Sequence, residues 1–266
     1  FNPTPEAPFN PAPEAPFDPA PPEAAFVADP GLRIGHVHLK VANLDRSLAF
    51  WRDMLGLRET QRIGGQAAFL SAGGYHHHIA LNTWESAGGT PPAAHHTGLY
   101  HVALLYPDRA ALATVLKRVL EAGLALEGAS DHGVSEAIYL ADPEGNGIEV
   151  YADRPRDTWY GPDGKLIVTT EGIDLNALAR AADKPWTGIP EDAVVGHVHL
   201  QVGAVPEAEA FYEGTLGLPV MTHYPGAAFY GSGGYHHHIA TNVWNSRGAG
   251  PRAFPATGLT AVELLA

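Results

Sequence analysis

Apolar and polar positions alternate over short stretches of this chain, and the stretches recur in a fixed order. Gly35-His36-Val37-His38-Leu39 and Gly98-Leu99-Tyr100-His101-Val102 read as strands that carry histidines among aliphatic residues, and each precedes a segment of helical period. In the second of those segments Leu112, Val115, Leu116 and Val119 fall at i, i+3, i+4 and i+7, and Gly123 ends the helix. In the first, Asn43 or Asp45 caps a helix that runs to Met54, with Leu48, Trp51 and Leu55 on one face and Gly56 behind it. Glu136 to Ala141 alternates again, residues 142–147 (DPEGNG) are turn chemistry, and Ile148 to Tyr151 completes a β-hairpin. This alternation puts Glu149 and Tyr151 on one face of the second strand. A carboxylate then points into a layer otherwise built for packing, which is costly unless something positive meets it.

The pattern is duplicated. Gly35 to Leu39 returns as Gly196 to Leu200, and residues 67–86 (AAFLSAGGYHHHIALNTWES) return as 227–246 (AAFYGSGGYHHHIATNVWNS). Residues 98–152 follow the same order of strand, helix and strands with different residues. The fold expected is α+β, built from repeated βαβββ modules, each exposing a sheet face that it buries by pairing with another module into a cupped sheet. The expected organisation is a Pro-rich tail (1–32), a metal-binding module pair (33–153), a linker (154–195), and a third module with the truncated start of a fourth (196–266). On that reading module three lacks its own partner, so a second subunit of a homo-oligomer, or the tail, supplies its cover. In the tail, FNPTPEAPF, NPAPEAPF and DPAPPEAAF repeat proline too densely for helix or sheet.

Composition narrows the class. The 266 residues are 45% apolar, enough for a real core, and the formal charge of −13 argues against nucleic-acid or anionic-membrane partners. No apolar run approaches a spanning helix and no signal peptide opens the sequence. The absence of cysteine removes disulfides and thiolate ligands, in keeping with a cytoplasmic enzyme. What remains is imidazole and carboxylate. Two strand histidines with the strand carboxylate Glu149 form a three-ligand set of the kind that leaves positions open on a non-haem Fe(II).

These residues resemble a known family. His132, then Ile138-Tyr139, Asp142-Pro143, Gly145 and Glu149 match the signature of the type I extradiol ring-cleaving dioxygenases of the catechol 2,3-dioxygenase kind, within the vicinal oxygen chelate superfamily. Ser130 departs from that signature in a turn. The resemblance implies an oxygen-dependent ring cleavage of a catechol-type aromatic diol, with Fe(II), or alternatively Mn(II), held by His36, His101 and Glu149. His38 shares the face of His36 and competes for its place. In that family the acid-base group is a histidine followed two or three residues later by an aliphatic and Ala, which, counted back from Ala80, gives His77, with His76 and His78 one residue away on either side. Tyr139 and His132 would hydrogen-bond the substrate oxygens. The second copy of the histidine run, at 236–238, argues that some of these histidines hold the fold. Two other readings stay open on the same scaffold: a glyoxalase-type lyase or thiol transferase using Zn, Ni or Mn, and a metal-free ligand-binding protein of the bleomycin-resistance kind.

Overall fold

The computed structural model describes residues 26–266 apart from 93 and 254; most of the Pro-rich tail lies outside this range. Module one comprises β1 (Arg33–Lys40), α1 (Leu44–Leu48), β2 (Arg58–Ile63), β3 (Ala67–Ser71) and β4 (Ile79–Asn82). The Asn43 side chain caps α1 by accepting from the Arg46 backbone N–H, and the chain continues through a π-helical stretch, Ala49–Met54, before stopping at Gly56. Module two comprises β5 (Gly98–Tyr106), α2 (Arg109–Glu121), β6 (Gly128–Asp131), β7 (Ser135–Ala141) and β8 (Gly147–Asp153). The helical period written in its sequence is the one it buries: Leu112, Val115, Leu116 and Val119 are all inaccessible.

A two-residue strand β9 (Glu171–Gly172) and helix α3 (Leu175–Arg180) lie between modules two and three. Module three comprises β10 (Val194–Gln201), α4 (Val205–Tyr212), β11 (Val220–Tyr224), β12 (Ala227–Tyr230) and β13 (Ile239–Asn242), and β14 (Gly258–Leu265) begins a fourth unit. Two sheets result, ordered β14-β1-β4-β3-β2 and β11-β12-β13-β10-β5-β8-β7-β6-β9.

This pairing corrects the expected one. Module two joins module three through antiparallel β5 and β10, and module one pairs with β14. The free edge of β1 is thereby taken, and the edge of β5 that was expected to meet module one meets β10, with His101 opposite His199 and Ala103 opposite His197. Modules two and three are also sequence neighbours, joined by the longer segment 154–193, whereas residues 83–97 join modules one and two. Module three therefore has its cover within the chain. Residues of the tail do contribute at its edge, where the Ala28 N–H donates to the Gly217 carbonyl at 2.8 Å.

Residues 154–195 are more than a linker. The Thr169 N–H donates to the His132 carbonyl at 3.0 Å, and β9 pairs with β6, so the segment straps across the end of the long sheet. Thr222 on β11 and Thr170 beside β9, from opposite ends of that sheet, line the same cavity, which shows how far it is rolled. The two faces of the roll differ. Val102, Leu104, Ile148 and Val150 belong to the helix-covered core, whereas Ala103, Ala137 and Tyr151 face the concave side.

Candidate metal centre

The concave face is where strand alternation collects the chemistry. Across three adjacent strands the residues in register are His197, Ala103 and Glu149. Because side chains alternate, His101 shares the face of Ala103, two positions along β5. The methyl of Ala103 leaves room that its neighbours fill: Glu149 Oε2 lies 3.0 Å from His101 Nε2 and 3.2 Å from His197 Nε2, and the two ring nitrogens are 3.3 Å apart. All three residues are buried. Gly196 is needed beside them, since a Cβ there would meet the Tyr151 hydroxyl at 1.8 Å.

The turn that aims Glu149 is fixed by one carboxylate. Asp142 accepts from the backbone N–H groups of Glu144 and Asn146 at 2.9 Å, from the Asn146 side chain, and from Trp51 Nε1 at 3.2 Å. The hairpin is thus tied to the helical segment of module one.

Electrostatics put two of the ligands, His197 and Glu149, in the forms a metal needs. Burial pushes His197 down to about 4, so its ring is neutral near neutral pH. Burial alone would raise Glu149, but His197 and His101 together hold it well below the usual carboxylate range. Two imidazole nitrogens and a carboxylate oxygen thus converge in a dry site, and buried His197 Nδ1 has no hydrogen-bond partner. A triangle of this size lets one cation touch all three atoms at the roughly 2.0–2.2 Å of metal–nitrogen and metal–oxygen bonds, and two histidines plus one carboxylate is the facial donor set of non-haem iron sites. The residues fit a divalent ion.

Around this centre lies a cavity of about 480 Å³, lined among others by Tyr139, His132, His199 and His237. The His132 Nδ1 is 2.9 Å from the Thr169 carbonyl, which can only accept, so Nδ1 carries the hydrogen. Its Nε2 then accepts from the Tyr139 hydroxyl at 2.7 Å. Burial, with Glu149 adding to it, holds the Tyr139 phenol well above its ordinary value, so this donor keeps its proton. His237 stacks beside His197 with ring centroids 4.1 Å apart.

Of the residues singled out from sequence, His101, Glu149, Tyr139 and His132 come together here. His36 and His77 do not. They sit on the other sheet, where His36 Nδ1 is 2.8 Å from Glu263 and its ring is 4.2 Å from that of His77. The competitor His38 is on that sheet too, 2.6 Å from the Asn82 side-chain nitrogen. Their places at the centre are taken by the repeat copies, His197 for His36 and His237 for His77. The sequence signal for this was present, because the copies are identical over these positions; what misdirected the reading was the assumption that module one pairs with module two. His78 and His238 are structural: each Nδ1 accepts from a backbone N–H, of Ala72 at 3.2 Å and of Ser232 at 3.3 Å.

Residues 33–150 and 194–264 match the model of the Glyoxalase/Bleomycin resistance protein/Dioxygenase superfamily. A catechol-2,3-dioxygenase of Bacillus subtilis (strain 168) is 43% identical over 230 residues, spanning 85% of this chain and 80% of the relative. Biphenyl-2,3-diol 1,2-dioxygenase 3 of Rhodococcus globerulus is 27% identical over 164 residues, 60% of this chain and 85% of that protein. The crystal structure of glyoxalase I from Zea mays superposes with a TM-score of 0.53 at 16% identity, over 88% of this chain and 74% of that one, a likeness of fold alone. The chain belongs to the Glyoxalase/Bleomycin resistance protein/Dioxygenase superfamily. Within that superfamily it is an extradiol dioxygenase of the catechol 2,3-dioxygenase kind. Among the described residues no helix is long and apolar enough to cross a membrane.

Proposed function

We propose that this chain is an Fe(II)-dependent enzyme that opens the ring of a catechol-type aromatic diol with O2, beside the hydroxyl pair, using His101, Glu149 and His197 as the metal ligands. The observation that carries the reading is the buried two-histidine, one-carboxylate triad opening on a cavity that also holds Tyr139 and His132. The names of the two relatives, both of them diol dioxygenases, support the same substrate class. Mn(II) is the alternative ion, since the same donor set suits it.

Bound Fe(II) would supply the site at which diol and oxygen meet and through which electron density passes from one to the other. The protein's own residues do the rest. Tyr139, its hydroxyl fixed by His132, orients a diol oxygen by hydrogen bonding. His237, a neutral ring beside the triad, accepts a proton from the diol and returns it to the developing product. The roll of the sheet and the strap over its end keep bulk water from the reacting atoms.

Anaerobic reconstitution with Fe(II), followed by catechol and then air, should give the yellow ring-fission product. Glu149→Ala should lose both iron and activity while staying folded. Full iron occupancy in that variant, or no ring fission by the iron-loaded protein, would overturn the proposal.

A further inference from the structure

The cavity has a second character besides its metal triad. Its volume, about 480 Å³, is roughly that of sixteen water molecules, whereas bare catechol has only eight non-hydrogen atoms. Room is left for a ring substituent, and the walls say of what kind. Where modules two and three meet, Tyr100, Phe229 and Trp244 form an aromatic face, with the Tyr100 and Trp244 rings 5.4 Å apart at 74° and His199 edge-on between them and Phe229. From the strap, Leu166 and Val168 close the opposite side. Such surfaces take apolar and aryl groups by burial and by offset or edge-to-face contact.

The charges of the lining point the same way. Apart from histidines, its ionisable side chains with a charge at neutral pH are Glu149, committed to the triad, and Glu127 at the exposed mouth, close enough to Tyr100 to add to the burial that raises that phenol. No lysine or arginine lines the cavity among the described residues, and residues 1–25, 93 and 254 contain none. A substrate carboxylate carried on the ring would thus be desolvated without a lysine or arginine to pair with, and would face the Glu127 carboxylate as it entered.

We infer that Glu127, at the mouth of this cavity, is a specificity-determining residue that excludes diols carrying a ring-linked carboxylate. The inference rests on the ring-cleavage reading for the identity of the diol, but not for the order of binding. It separates two groups of substrates that a metal triad alone does not distinguish, since the triad sees only the hydroxyl pair.

The test uses the full chain loaded with Fe(II) and kept anaerobic, with equilibrium dialysis against two diols of similar size, 4-propylcatechol and 3,4-dihydroxyphenylacetate. The acid should bind at least about tenfold more weakly, the scale expected for like charges within a partly desolvated site. In Glu127→Lys, a change at an exposed position, the gap should shrink to about threefold or less. Equal or tighter binding of the acid by the unaltered protein, or an unchanged gap in Glu127→Lys, would overturn the inference. Admitting air afterwards tests ring cleavage separately: a preserved binding order with no yellow product would count against the reaction and leave the selectivity standing.

Discussion

Replacing His197 by alanine separates the two arrangements of ligands that the repeated sequence permits. His197 Nε2 stands 3.2 Å from Glu149 and 3.3 Å from His101, so its removal leaves one imidazole and one carboxylate, too few donors to hold a divalent ion in a dry site. The loss is best read as a loss of linkage. A metal present at a hundredfold excess over its dissociation constant stabilises the folded state by about 2.7 kcal/mol. In a chain of this size that is a rise in Tm of roughly 5–10 °C, at about 2–4 °C per kcal/mol. The assay is thermal melting with and without Fe(II) under argon, with metal content measured on the same samples. The unaltered protein should show the rise and His197→Ala should not. His36→Ala should keep it, because His36 faces Glu263 on the other sheet in a partly exposed pair worth about 1 kcal/mol or less. The metal-free variant will itself melt lower through the cavity it leaves, so the comparison is of the metal-induced shift alone. A shift retained in His197→Ala, or lost in His36→Ala, would refute the geometry.

Other outcomes follow from the same coordinates. His237→Phe should retain iron and lose turnover by about 100- to 10,000-fold, the usual share of a proton-transfer group, whereas His77→Phe should change turnover little; kcat beside bound iron reports both. Ala103→Leu should keep the fold but fail to take up iron, because Ala103 is inaccessible and in register between His197 and Glu149; circular dichroism and metal analysis decide it. Acid should unfold the metal-free protein in a window set by its depressed histidines, His78 and His238 among them. Burial, reinforced by the neighbouring histidines, depresses both to about 4. The unfolded chain takes up protons below about pH 6.5 that the folded chain refuses, so each contributes full stability above that pH and loses about 1.4 kcal/mol per pH unit down to about 4. A denaturation midpoint independent of pH between 6.5 and 4.5 would contradict this.

What was legible in the sequence was what short stretches decide. Helix α2 announced itself because its four core positions are spaced for one face and Gly123 follows it, and the structure adds an N-cap through the Asp108 carboxylate. The β7–β8 hairpin was legible because DPEGNG is turn chemistry, and from it followed the inward aim of Glu149; that Tyr139 stands opposite it across the strands came from the structure. The partner of β5 was not legible. His36-Val37-His38 and His197-Val198-His199 are the same tripeptide in equivalent strands, so no local preference distinguishes them. Only the long-range choice of edges does so, and that choice is made by the whole sheet.

The two copies then diverge by what faces them. In the β1–β14 pair Ala261 stands opposite His38 as His101 stands opposite His199, and two residues on, Glu263 occupies the position that Ala103 holds in β5. A glutamate there reaches His36 directly, at 2.8 Å, and a Cβ on Gly35 would meet its carboxylate, so the space that Ala103 keeps open in one sheet is filled in the other. One strand histidine thus ends in a hydrogen bond to a glutamate and its twin at the candidate centre, and the difference is carried by residues on the neighbouring strand. In a duplicated fold, a ligand histidine is therefore identified by what stands in register across the sheet, a small residue that leaves room and a second imidazole two positions along, rather than by the motif that contains it.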